Sequence, residues 1–138
     1  MNTKAKLLIT SSIFTLVLGG IGVSANLPAG AKAMKEELFV LLAKPQYKPA
    51  YKTLLAGHKG LQSWITLGRG VSSPCEEVTE GGATYIVGSM CEPHNCGNHQ
   101  FIVVFTKDLK QAWALHYLAD DNPDIVPKKE YFANPPAN

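Results

Sequence analysis

Phe101-Ile102-Val103-Val104-Phe105 restricts the fold of this chain more than any other stretch. On a strand, successive side chains point to opposite faces, so five apolar residues in a row leave both faces needing cover. Such a strand belongs in the interior of a sheet, with material packed on both sides. The connection that follows, Thr106–Lys110, is too short for a crossover and favours an antiparallel return into Gln111–Ala119. A further strand is predicted at Thr84–Val87, entered from the turn Glu80-Gly81-Gly82.

Upstream, the period changes from that of a strand to that of a helix. Met34, Leu38, Leu41 and Leu42 fall at i, i+4, i+7 and i+8, which predicts one helical face ended by Pro45. Tyr47, Tyr51, Leu54 and Leu55 repeat the spacing, with Pro49 suited to the first turn and Gly57 to the C-terminal cap. Both stripes read as core. Leu61–Thr66 is ambiguous, and Gly68-Arg69-Gly70 with Ser72-Ser73-Pro74 reads as loop. After the turn Asp120-Asp121-Asn122-Pro123, a short helix is predicted over residues 124–132, and residues 134–138 are expected to be disordered or extended. The class is therefore α+β, an antiparallel sheet flanked by helices.

Residues 1–25 do not read as part of that fold. Lys4 and Lys6 precede an uncharged apolar run, and Val23-Ser24-Ala25 offers the small residues that a signal peptidase requires. Export with cleavage after Ala25 is expected, leaving a single domain over residues 26–138. Cleavage would remove two of the 13 basic residues and none of the 11 acidic ones, so the remainder carries no net charge. A neutral chain lacks the basic surface that nucleic acid or an anionic membrane demands. All three cysteines, Cys75, Cys91 and Cys96, lie beyond the leader, and an oxidising compartment makes a disulfide the default for at least one pair.

Between two predicted strands stands Cys91-Glu92-Pro93-His94-Asn95-Cys96, followed by Gly97. A disulfide needs its Cα atoms within about 7 Å, whereas five extended steps would span roughly 17 Å. A Cys91–Cys96 bridge therefore forces the four residues between to bow outward. Pro93 fixes its own φ and biases Glu92 to an extended form. Asn95 tolerates the left-handed conformation that a tight return needs, and Gly97 tolerates any. His94 is left near the apex. Closing so small a loop contributes roughly 2 kcal/mol by loop-closure entropy, so the bridge serves local rigidity more than global stability, and a rigid loop suits binding. Other readings stay open at this point. Cys91, His94, Cys96 and His99 are one candidate set of zinc ligands, though the spacing matches no common motif; the cysteines are alternatively a redox pair, though C-x4-C is not C-x-x-C; or the loop is a plain staple of a structural envelope protein. Cys75, placed in a loop after Pro74, could remain free, bind a second molecule or compete for either partner.

Nothing points to an enzyme: G-x-S-x-G, H-E-x-x-H and the P-loop are all missing from the sequence. Glu76 and Glu77 are adjacent and would face opposite ways on a strand. His58 is expected to be exposed, and His116, between Leu115 and Tyr117, to be a hydrogen-bonded structural histidine.

The leader, the stretch Ser89-Met90-Cys91-Glu92-Pro93-His94-Asn95-Cys96-Gly97-Asn98 and the apolar strand behind it together resemble the inhibitor of vertebrate lysozyme (Ivy) family of periplasmic proteins. The likeness is sharpest at C-x-P-H-x-C-G and extends more weakly from about Gly68 to Leu115, through Gly68-Arg69-Gly70-Val71 and residues 107–115. The chain departs from the family's best-known members in carrying Glu92 and Asn95 where they have lysine and aspartate. The resemblance implies a non-catalytic inhibitor of c-type lysozyme, needing no cofactor or metal, with a homodimer left open. Its disulfide-closed protruding loop, carrying Glu92, Pro93, His94 and Asn95, would insert into the enzyme's cleft from the periplasm.

Overall fold

The structure, a computed structural model, describes residues 30–133. The expected leader, residues 1–25, and the tail, residues 134–138, lie outside the described residues. Seven strands form one antiparallel sheet: β1 (Ala31–Glu37), β2 (Val71–Ser72), β3 (Pro74–Glu80), β4 (Ala83–Cys91), β5 (His99–Thr106), β6 (Ala112–Leu118) and β7 (Lys128–Ala133). The order across the sheet is β1-β3-β4-β5-β6-β7, with β2 pairing on the far end of β4. Three helices, α1 (Leu38–Ala43), α2 (Lys48–Leu55) and α3 (Ser63–Thr66), are described.

The sheet's two faces carry separate cores, and β5 contributes to both, as its sequence requires. Phe101, Val103 and Phe105 face Leu38, Leu41, Tyr51, Leu54 and Ile65 of the three helices. Ile102 and Val104 face the other way, with Val78, Tyr85, Val87 and Leu115. All five are at most 1% exposed. Tyr47 meets Phe105 edge-on at 5.4 Å and Tyr51 meets Phe101 at 6.4 Å, so α2 is seated on aromatic contacts. Helix α1 approaches more closely still. A Cβ added to Gly88 of β4 would stand 2.8 Å from both Leu38 Cδ1 and Cys75 Sγ, so only glycine lets Leu38 rest on the sheet.

Two predicted helices are corrected. Ala31–Glu37, which contains Met34 of the first helical stripe, is a strand, and the helix begins only at Leu38. The segment pairs with β3 through Ala31↔Val78, Lys32↔Glu77 and Ala33↔Glu76, a partnership more than forty residues away that local periodicity cannot register. Residues 124–132 likewise hold β7, which pairs with β6 from Leu118↔Lys128 to Trp113↔Ala133 and buries Phe132 against Phe101. Leu61–Thr66 resolves into the single turn of α3, Pro49 and Gly57 bracket α2 as expected, and the expected loop over residues 68–74 contains β2. Between Ser72↔Met90 and Glu76↔Val87, three residues oppose two, a β-bulge that lets β2 continue along β4 to Cys91.

Three chemically reactive side chains sit otherwise than expected. Cys75 is in β3, not a loop, and is completely buried and free. Burial, reinforced by the charges of Glu36, Glu76 and Glu37, pushes its thiol up to about 12. His58 is half-buried, its ring 4.0 Å from that of Phe132 and its Nδ1 3.7 Å from Glu130 Oε1. His116 is 5% exposed on β6, edge-on to Trp64 and Phe101, with Nδ1 3.9 Å from Glu130 Oε2. Neither of its ring nitrogens has a hydrogen-bond partner among the described residues, which corrects the expectation of a satisfied histidine. Burial pushes this imidazole below the usual histidine range, and the Glu130 carboxylate only partly opposes that.

These placements make three predictions. Gly88→Ala should cost about 1–3 kcal/mol by overpacking Leu38 and Cys75, read as a lower urea midpoint at unchanged slope; an unaltered midpoint would mean that α1 yields freely. Cys75 should be inert to a thiol reagent in the native protein and react only on unfolding; native labelling at the rate of a free thiol would contradict its burial. For His116 the native state disfavours the charged form, so the unfolded chain binds the proton more readily and stability is lost as pH falls below about 6.5. His116→Phe should therefore melt near wild type at pH 7 and lose less than wild type on acidification to pH 5.

Candidate functional site

The β4–β5 hairpin carries the candidate site at its tip. Pairing runs in register from Tyr85↔Thr106 to Cys91↔Gln100, and beyond that rung the chain must turn back. Cys91 is bonded to Cys96, with Cα atoms 4.8 Å apart. Within the ring, the Asn95 amide donates to the Glu92 carbonyl at 3.0 Å, closing a four-residue turn with Pro93 in its second position. His94 occupies the third position with φ of +67° and is exposed. A proline followed by a residue at positive φ is the type II pattern, whose third position ordinarily belongs to glycine or asparagine.

The left-handed residue is thus His94, although Asn95 beside it is the type that tolerates this conformation more readily, and the cause is clear. Pro93 fixes the second position of the turn, so the positive φ falls on the residue immediately after it. An L side chain there costs roughly 1–2 kcal/mol. Asn95 instead uses its amide, Nδ2 donating to Glu92 Oε2 at 3.0 Å. Backbone bonds from Asn98 and His99 to the Asn95 carbonyl, and from Glu92 to the His99 carbonyl, complete the return into β5.

Glu92 does not project outward. Its carboxylate accepts from Asn95 and from Gln62 Nε2 at 3.0 Å and lies 2.6 Å from His99 Nδ1, and these neighbours hold it below the usual carboxylate range, Asn95 foremost. Gln62 in turn accepts the indole N–H of Trp64 at 2.7 Å. Trp64 is 7% exposed and lies against Gly70, where a Cβ would come within 2.8 Å of its ring and 2.7 Å of the Cys91 carbonyl. On the other flank, the Ala119 amide donates to the Asn98 carbonyl at 2.7 Å, and the Asn98 side chain donates to the Asp121 carboxylate.

Of the residues singled out in the sequence, Pro93 and His94 are the exposed pair, while Glu92 and Asn95 are half-buried and bonded to each other. Gln62, Trp64 and His99 were not foreseen as supports of this loop. Gln62 and Glu92 are thirty residues apart, and no spacing rule connects them. The zinc reading loses both thiolates, because Cys91 and Cys96 are joined to one another, and a third candidate, His99, faces Glu92. Cys75, buried beneath α1, does not compete for either of them.

The sequence profile described as inhibitor of vertebrate lysozyme (Ivy) matches residues 46–138, which include the whole of this loop. An inhibitor of vertebrate lysozyme from Pseudomonas aeruginosa is 33% identical over 99 residues, covering 70% of this chain and 65% of that protein. The protein of the same name from Escherichia coli is 35% identical over 74 residues, covering 54% of this chain and 46% of its own length. An uncharacterised protein of Yersinia pestis is 34% identical over 117 residues, 85% of this chain and 74% of that protein. With a disulfide-closed C-x-P-H-x-C-G loop at the end of an antiparallel sheet and a profile match across most of its length, the chain belongs to the inhibitor of vertebrate lysozyme (Ivy) family.

Proposed function

We propose that this protein is an exported, non-catalytic inhibitor of c-type lysozyme that inserts the Cys91–Cys96 loop into the enzyme's cleft, with His94 at its point. The observation that carries this reading is the backbone of His94, an exposed residue held at φ of +67° inside a disulfide ring. A strained side chain at an apex persists when its surroundings over-determine it and the position has a use.

The chemistry of the target makes the use intelligible. A retaining lysozyme works with two carboxyl groups, one kept protonated as the acid and one ionised. Neutral imidazole offers one N–H donor and one bare acceptor nitrogen. It can therefore donate to the carboxylate and accept from the carboxylic acid at once, filling the place of the scissile bond. Pro93 shares the exposed face, whereas Glu92 and Asn95 contribute chiefly by holding the turn. Preformed in this way, the loop gives up little conformational entropy on docking. Export of residues 26–138 to the periplasm after cleavage near Ala25 would place the inhibitor where lysozyme attacks the cell wall.

The reading is tested by cell-wall lysis with a c-type lysozyme. His94→Ala should weaken inhibition roughly 10- to 100-fold, the worth of hydrogen bonds to charged groups. His94→Gly should weaken it as much without lowering the melting temperature, because glycine relieves the positive φ. The double variant Cys91→Ser/Cys96→Ser should also inhibit poorly. Full inhibition by all three would remove the loop from the mechanism.

A further inference from the structure

The disulfide fixes the two ends of the loop against each other, but by itself it does not fix the angle at which the ring leaves the sheet. A second fastening does. Trp64 Nε1 is only a donor and the Glu92 carboxylate is only an acceptor, so two such groups facing a common gap need an adaptor with one function of each kind. The Gln62 amide is that adaptor, Oε1 receiving Trp64 at 2.7 Å and Nε2 reaching Glu92 Oε1 at 3.0 Å. The two bonds also decide which end of the amide is oxygen, because the reverse orientation would set N–H against N–H and oxygen against carboxylate.

We infer that Gln62 is a positioning residue for His94: it ties the loop, through Glu92, to the buried Trp64 of α3 and so sets the direction in which the apex points. The inference rests on the proposed insertion of the loop and deepens it. The tie runs from the Trp64 ring, set edge-on against buried His116, across the Gln62 amide, to a carboxylate whose other oxygen holds Asn95 and His99, the residues on either side of the Cys96 corner. The middle link, Gln62 to Glu92, is a side-chain bond between segments thirty residues apart, and both of Gln62's bonds are made to groups other than His94. Gln62 therefore acts on the apex through the carboxylate and not by contact.

Two measurements on the purified protein test this. One is the dissociation constant for a c-type lysozyme, and the other is 15N relaxation of the His94 and Asn95 amides in the free protein. Gln62→Ala should raise the dissociation constant about five- to tenfold and lower the amide order parameters from about 0.85 towards 0.6. In a Glu92→Ala background the same substitution should change neither further, since the tie is already cut. Gln62→Glu supplies the signature that a merely structural role would lack. Near pH 7 its carboxylate opposes that of Glu92, and binding should be worse than in Gln62→Ala. Near pH 4.5 the introduced carboxyl gains a proton, can donate to Glu92, and should recover towards wild type measured at the same pH. The other titratable groups around Glu92, namely His99 and the more distant His116, are common to both proteins and cancel in that ratio.

Unchanged order parameters in Gln62→Ala would overturn the inference, and so would a loss of affinity without a gain in mobility, which would make Gln62 a direct contact. A Gln62→Glu variant that tracks Gln62→Ala at every pH would overturn it too. If the wild type failed to bind lysozyme, the functional reading would fall while the relaxation data still decided whether Gln62 holds the loop.

Discussion

Seven registered pairs join β4 to β5, from Tyr85 opposite Thr106 to Cys91 opposite Gln100, and both the core and the loop depend on them. Because side chains alternate, a slip of one residue would exchange Phe101, Val103 and Phe105 with Ile102 and Val104. The rings would then leave Tyr47, Tyr51 and Phe132, which they meet edge-on, and the narrower face would have to admit them. The same register sets Gly88 beneath Leu38, the contact that seats α1. It also ends the ladder at Cys91, so the point where the ring departs is dictated by the packing of β5.

At that point two local terms of similar size meet. Closure of the small ring contributes roughly 2 kcal/mol, and a non-glycine residue at positive φ costs roughly 1–2 kcal/mol. The bridge thus about offsets the strain it encloses, and the rest of the loop's order comes from polar bonds: Asn95, His99 and Gln62 on the Glu92 carboxylate, and Ala119 on Asn98. The loop separates its inner from its outer residues accordingly. Glu92 and Asn95 satisfy each other and leave Pro93 and His94 exposed. Glu92 and Asn95 are used here as internal braces.

How far the fold could be read from the residues depended on the range of the interaction involved. The double-sided burial of Phe101–Phe105, the amphipathic stripe of α2 between Pro49 and Gly57, and the outward bow of a Cys91–Cys96 ring follow from nearest-neighbour sterics and periodicity. β1 and β7 did not follow, because Met34 happens to fall at a helical spacing from Leu38, and a strand at the edge of a sheet is made by a partner far along the chain. His94 shows the same limit at finer scale: the need for a left-handed residue was visible, but which residue bore it awaited the closed turn.

The sequence by itself determined that an antiparallel sheet would hold a strand buried on both faces, and that a proline-histidine pair would be thrust out between two cysteines. Those are properties of covalent geometry and of apolar pattern, which act within a few residues. Only the tertiary structure decided that Cys75 would be sealed under α1, that His116 would be buried without a hydrogen-bond partner among the described residues, and that Glu92 would turn inward to Gln62. Each is a meeting of residues separated by many positions, and such meetings are selected by the free energy of packing the whole sheet, a quantity that no local window of the chain contains.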